Sequence, residues 1–246
     1  MNVKFALIIL FAAHSWMIDC ASAQPAKGDP IAELIQKVNL DSMLGTVRVL
    51  SGLDSVNLPG SHGLILSRQR DYPGNELAAS YLLSEIKKQG LQPKLYCSSP
   101  TCCNILATLQ GTRPQAPPII LSAHYDSRPI AEVAPGADDN ASGCAAVLEA
   151  VRILKAYRFY HDIIFAFWDE EEENAVGSAT HAFQLSQKNK RLKGMISVDM
   201  IGYDADDDGK VLINTKDIGI SPLMADLMVE VNEKVCLDMR KALNPT

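Results

Sequence analysis

Two kinds of hydrophobic pattern succeed one another along the chain. In the first half the apolar positions keep helical spacing: Ile31, Leu34, Ile35 and Val38 predict a helix within 30–52. A stretch rich in Gly, Pro, Ser and Asn follows, from Ser51 to Ser67. Leu77, Tyr81, Leu82 and Ile86 then predict a second helix from Glu76 to Gly90, where the glycine stops it. Two short strands are expected at Lys94–Tyr96 and Asn104–Leu109, the latter ended by Gly111. From Pro118 the pattern changes to continuous apolar runs: Ile119–Leu121, Ile163–Trp168 and Met195–Val198. Such runs suit strands covered on both faces by helices. Between the first two, Ser142 to Lys155 predicts a helix that turns Val147, Leu148, Val151 and Leu154 to the core. Strands alternating with helices, without an internal repeat or linker, predict a single α/β sandwich domain.

Composition narrows this little but excludes some functions. The 246 residues are 47% hydrophobic and 21% charged, so the chain has enough apolar surface for a packed core. A net charge of -6 argues against a general nucleic-acid binder, which would need a basic face. Lys4, the apolar run Phe5–Ala13 and the small residues Ala21-Ser22-Ala23 have the layout of a secretory signal over residues 1–23. Cleavage is expected between Ala23 and Gln24, and the run is too short and badly flanked for a membrane-spanning helix. The expected location is therefore secreted or periplasmic. Removing Cys20 leaves Cys97, Cys102, Cys103, Cys144 and Cys236, an odd number. Cys97 lies across a turn-like segment from the Cys102-Cys103 pair, so a local disulfide with one of the two fits an oxidising compartment. Cys144, among Ala145, Ala146 and Val147, reads as a small core residue.

The candidate chemistry collects where the three apolar runs end. The first leads into His124-Tyr125-Asp126, the second into Asp169 to Glu173, the third into Asp199. In open α/β sheets the carboxyl ends of strands are where ligands bind. A further acidic group, Asp138-Asp139-Asn140, precedes the helix at Ser142. Taken singly, Glu170–Glu173 reads as a solvated face and Asp138-Asp139-Asn140 as a turn with a helix cap. Together these segments bring one imidazole and several carboxylates to one rim of the sheet. Asp126, two residues from His124, can orient the second ring nitrogen of a metal-ligating histidine. His62, His161 and His181 lack acidic company of this kind and read as structural. Carboxylates clustered with a histidine suit Zn²⁺, and a free Glu beside it suits a general base, which points to metal-assisted hydrolysis or acyl transfer.

These segments resemble the M28 zinc peptidases, secreted aminopeptidases with co-catalytic zinc, over most of residues 64–244. The resemblance is carried by Ser67-Arg68 to Gly90, Asn104 to Gly111, Ser122-Ala123-His124-Tyr125-Asp126-Ser127, Pro135 to Gly143, Phe167-Trp168, Glu171-Glu172, Gly177-Ser178 and Asp199-Met200-Ile201-Gly202. It implies a three-layer sandwich with a mostly parallel, mixed central sheet flanked by helices. It also implies peptide substrates and two Zn²⁺ ions. By position, His124, Asp139, Glu172 and Asp199 resemble the metal ligands, with Asp139 bridging both ions. Glu171 resembles the general base, and Asp126 resembles the residue that orients His124. The register comes from Gly177-Ser178, which lies five residues after Glu172; Asn174 stands where the family commonly has Gly. The family completes its second site with a histidine in a Ser-Asp-His-like segment near the C-terminus, and no His follows His181. The resemblance thus implies a C-terminally truncated chain without the last strand and helix of the sheet. Such a chain is expected to be poorly stable and weakly active.

Two other functions fit part of the pattern. A glutaminyl cyclase, from a related family, would use one zinc for intramolecular acyl transfer. A non-catalytic binding module could keep the fold and lose one metal site. Asp139-Asn140-Ala141-Ser142-Gly143 and the Asp199-Met200 pair favour the peptidase over the cyclase, and the Glu171-Glu172 pair argues against the non-catalytic module.

Overall fold

The computed structural model describes residues 30–129, 133–205, 210–235 and 240–243. The signal expected over residues 1–23 lies outside the described residues, as does Cys236. The chain forms two compact units, one of residues 39–202 and one of the segments before and after it.

In the larger unit the continuous apolar runs become adjacent strands. β1 (Val56–Leu58) and β2 (Ser61–Gly63) form a separate small hairpin in the Gly/Pro-rich stretch. β3 (Lys94–Cys97) and β4 (Cys103–Leu109) are antiparallel, and β4 runs antiparallel to β6 (Ile163–Trp168). β5 (Ile119–His124) is parallel to β6 on one side and to β7 (Gly194–Ser197) on the other. The order is β3-β4-β6-β5-β7, a mixed central sheet of the expected α/β class.

The order also dictates where the helices go. α4 (Gly143–Leu154) connects β5 to β6, and α5 (Val176–Gln187) connects β6 back across β5 to β7. These crossovers run in opposite directions along the sheet, and parallel crossovers are right-handed, so α4 and α5 occupy opposite faces. Alternation along the strands supplies both layers. Phe165 and Phe167 point to one face with Ile105 and Leu121, all buried. Leu106, Ile120, Ala166 and Trp168 form a second apolar cluster on the other. α4 is buried along nearly its whole length. Its Glu149, 3% exposed, accepts from the Asn39 N–H and pairs with Arg152, so the buried carboxylate is satisfied.

Two helix predictions need adjustment. The helix expected within 30–52 is interrupted: α1 (Pro30–Gln36) ends, and α2 (Leu40–Leu50) starts anew behind Asn39, whose Oδ1 caps the Ser42 N–H. α3 (Pro73–Lys88) starts earlier than Glu76, with Pro73 in its first turn. Its buried face is centred on Ala78, Ala79, Leu82 and Ile86, while Leu77 and Tyr81 are only half-buried, because the alanines allow the closer approach. The smaller unit contains α1, β8 (Leu212–Thr215), α6 (Ser221–Val235) and β9 (Arg240–Leu243). There β8 and β9 pair in parallel, and α6 packs on β8. Among the described residues no helix is long and apolar enough to cross a membrane.

The disulfide joins Cys97 to Cys103. These two are direct partners in the β3–β4 ladder, whereas Cys102, one residue earlier, turns inward toward the Asp169 carbonyl. Cys144 is fully buried and its thiol donates to the His124 carbonyl; burial pushes it up to about 12. Iodoacetamide at pH 8 is therefore expected to leave Cys144 unmodified in the native protein and to alkylate it in denaturant, as read by peptide mass spectrometry. Native labelling would show that the α4 N-terminus opens to solvent.

Candidate metal centre

The crossover geometry places a crevice at the carboxyl ends of β5 and β6, where the outgoing loops leave for opposite faces. His124, the last residue of β5, is 3% exposed and points its ring into that crevice. Its Nε2 lies 3.1 Å from Asp139 Oδ1 and 3.5 Å from Asp199 Oδ1, with Glu171 Oε2 at 4.0 Å. One ligand atom from each of His124, Asp139 and Asp199 falls within 4.8 Å of the others. On the opposite side of the ring, Nδ1 is 3.2 Å from Asp126 Oδ1. The second Asp126 oxygen accepts from the Glu172 N–H at 3.0 Å, tying the loop after β6 to the loop after β5. The structure thus brings His124, Asp139, Asp199, Asp126 and Glu171 together as a cluster. Glu172 stands beside them but outside the compact triad.

The three residues Asp138-Asp139-Asn140 divide the work of forming the site. Asn140 is buried; its amide donates to the Val198 carbonyl and its Oδ1 accepts from the Gly143 N–H, so it clamps the start of α4 to the end of β7. Asp138 Oδ1 accepts from the Gly202 N–H, and Ser142 Oγ accepts from the Ile201 N–H while donating to the Asp138 carbonyl. The outer two residues therefore hold the loop that contains Asp199, and only Asp139 is left facing His124. Gly136, just upstream, has φ of +46°, and a Cβ there would collide with the Asp139 carbonyl and the Arg68 guanidinium.

The acidic run after β6 is sorted in the same way. Asp169 is fully buried and accepts from the Asn75 amide, the Tyr125 hydroxyl and the N–H groups of Cys103 and Glu170. Burial holds its carboxyl above the usual range despite these donors. Glu170 is buried too, accepting from Thr101 Oγ1 and facing Arg70 at 3.5 Å. Both are scaffold. Glu171 and Glu172 are partly open toward the cluster, and Glu173 is exposed. Asn174 has φ of +68°, a left-handed conformation that Asn tolerates better than most residues.

Sequence reasoning did not single out the role of Arg68. Its side chain is fully buried and donates to the carbonyls of Leu50, Tyr125, Pro135 and Gly136. One guanidinium thereby joins α2, the loop after β5 and the loop before Asp139. Among the described residues no carboxylate pairs with it, yet it lies close enough to Asp126, Asp139 and Glu172 for their charges to act on it. The signal in the sequence was an arginine in a Gly/Pro/Ser stretch beside the predicted helix, a place where arginines are usually solvated.

The charges explain the titration of the centre. Burial opposes a charged ring at His124, but the carboxylates of Asp126, Asp139 and Asp199 outweigh it and raise its pKa from 6.5 to about 12. Hydrogen bonding to His124 holds Asp139 below the usual carboxylate range. Burial, with repulsion from neighbouring acids, pushes Glu171 and Glu172 up. In the metal-free protein a proton on His124 is thus the cation that the carboxylates gather around.

The sequence profile described as Peptidase family M28 matches residues 104–242. The chain belongs to this family. Among curated relatives, it is 32% identical over 137 residues to Aminopeptidase YwaD of Bacillus subtilis, covering 55% of this chain and 29% of that protein. It is 34% identical over 113 residues to a protein of Leptosphaeria maculans named as a probable zinc metalloprotease, covering 44% and 26%. The chain therefore spans less than a third of the length of these relatives. Two solved structures share the fold: LapA of Legionella pneumophila, with TM-score 0.72, 18% identity and coverage of 90% of this chain and 61% of that one, and the glutaminyl cyclase of Porphyromonas gingivalis, with TM-score 0.59, 18% identity and 84% of each chain.

The M28 centre of this chain suits zinc on its own geometry. One neutralisable imidazole and two carboxylate oxygens converge, the distal ring nitrogen is held by a carboxylate, and the acids are half-open while the ring is buried. That donor set leaves a side open to solvent, as reactive zinc sites do.

Two outcomes are expected. Because the His124 pKa lies above the working range, zinc binding should release about one proton and tighten about tenfold per pH unit between pH 6 and 9. Calorimetry in buffers of different ionisation enthalpy reads this directly, and proton-free binding would show that His124 is not the displaced cation. The sign is that of a raised pKa: the charged-ring contribution to metal-free stability is complete below pH 6.5 and lost only as pH rises toward 12. Arg68→Met should cost ~2–4 kcal/mol in urea unfolding, since it strands several buried carbonyls. Arg68→Lys should recover only part of that, because an ammonium cannot span the fork.

Proposed function

We propose that this chain provides the catalytic centre of a zinc-dependent exopeptidase that removes N-terminal residues from peptides. The observation that carries the reading is the meeting of His124, Asp139 and Asp199 within 4.8 Å, with the Glu171 carboxylate beside the same imidazole. Zn²⁺ held by His124, Asp139 and Asp199 would supply Lewis acidity, making a water more acidic and polarising the peptide carbonyl. A second ion would share Asp139 and take Glu172. With an ion bound, Asp126 would hold the His124 ring in the tautomer that leaves the Nε2 lone pair for the metal. Glu171, whose carboxyl burial holds above the ordinary value, takes a proton from the attacking water and hands it to the leaving amine. The names of the curated relatives, an aminopeptidase and a zinc metalloprotease, support the same reading. The Cys97–Cys103 disulfide favours action in an oxidising compartment, secreted or periplasmic.

A glutaminyl cyclase is the second reading, favoured by one observation: the Porphyromonas gingivalis cyclase matches this fold over 84% of both chains. A peptide beginning with Gln separates the two, because cyclisation releases ammonia and hydrolysis releases free glutamine. Release of ammonia without a shortened peptide would decide for the cyclase. For the peptidase, Glu171→Gln should bind zinc like the parent and lower turnover by about 10²–10⁴-fold. Turnover unchanged within a factor of about two would remove Glu171 from its role.

A further inference from the structure

On the sheet face opposite α4, a cavity of about 710 Å³ opens between α5, the segment after it, and the strands β3, β4 and β6. It is separate from the acid cluster, and none of the proposed zinc ligands lines it. The volume is in the range of small-molecule sites. Its floor is apolar, with Leu106, Ile164 and Leu185.

The charge around this floor is one-sided. Lys94, Lys188, Lys190 and Arg191 line the cavity, and no Asp or Glu does, in a chain of net charge -6. Solvated surfaces usually intersperse both signs. Among the described residues none of these cations forms an ion pair with a carboxylate. They therefore raise the local potential over an apolar surface.

His181 forms part of the cavity wall. It belongs to α5 and packs its ring against Trp168 at 5.3 Å and Tyr96 at 6.4 Å. Both ring nitrogens are buried, and neither has a hydrogen-bond partner among the described residues. Burial, with Lys188 adding to it, keeps the ring below its ordinary pKa.

We propose that this cavity binds an amphipathic carboxylate: an aliphatic tail on Leu106, Ile164 and Leu185, and a carboxylate head met by the surrounding Lys and Arg side chains. An apolar floor without the cations would take neutral ligands equally well, and cations without the floor would take any anion. The combination selects molecules that have both.

Decanoate titrated into the full chain by calorimetry, with decanol as the neutral probe of the same length, tests this. One saturable site is expected, with decanoate about tenfold tighter than decanol. Lys188→Glu combined with Arg191→Glu, both on exposed positions, should weaken decanoate by about tenfold or more and leave decanol unchanged. Asp139→Asn, in the metal centre, should leave decanoate affinity unaltered. Absence of saturable binding, equal affinity for the two probes, or insensitivity to the double charge reversal would each overturn the proposal. Loss of binding in Asp139→Asn would assign the ligand to the metal centre and overturn it as well. Because the site does not depend on the peptidase reading, neither result bears on that reading.

Discussion

Like charges confined to one crevice must be offset by a cation, and the centre of this protein is arranged around that need. Asp126, Asp139, Asp199 and Glu171 surround a single buried imidazole. Without a cation at their focus they would repel one another and push the loops apart. In the metal-free chain the proton on His124 fills the role, and a divalent ion is the stronger candidate for the same place. Arg68 acts one step behind. Its charge is fixed, and its carbonyl acceptors join segments that are distant in sequence, so the acids are held in place as well as offset. Arginine suits this because its planar fork satisfies several carbonyls at once.

The sheet decides where this crevice lies. β5 and β6 are parallel neighbours whose following helices leave for opposite faces, so a crevice lies at their carboxyl ends. β7 then delivers Asp199 from the other side of β5. Three strands therefore converge on one rim, and the Asn140 and Asp138 side chains bind their loops to each other. The resemblance to LapA is a resemblance of this frame, since 18% identity speaks for the fold alone.

Behind the rim lies a second polar network. Asp169 gathers the Tyr125 hydroxyl, the Asn75 amide and the Cys103 N–H, and so connects the disulfide-bonded β3–β4 hairpin to the loop that contains Glu171. A carboxylate this buried is tolerable because each oxygen has donors. The network helps explain why a strand-end acid can be scaffold while the residues two and three positions later face the cluster.

Much of this was legible in the amino-acid sequence. The continuous apolar runs placed β5 and β6 within a few residues, because burial on both faces leaves no room for polar alternation; β7 was placed as closely, but it is an edge strand whose Met195 and Ser197 are exposed, not one covered on both faces. The recurrence of acids at strand ends marked the rim, since strand direction alone sets where the ends lie. Periodicity also predicted α4, whose apolar stripe has helical spacing. Other features depended on partners distant in the chain. The break at Asn39 depends on a cap and on Glu149, more than a hundred residues away. Cys103 rather than Cys102 pairs with Cys97 because the β3–β4 register puts it opposite, and register is a property of two strands together. Asp138, Asp139 and Asn140 are equivalent as a string of acid and amide; hydrogen bonds to β7 and its loop choose which one faces His124. Arg68 and the cavity below α5 were invisible for the same reason. A sequence records which groups are present, whereas their desolvation and their neighbours, which determine what those groups do, exist only once the chain has packed.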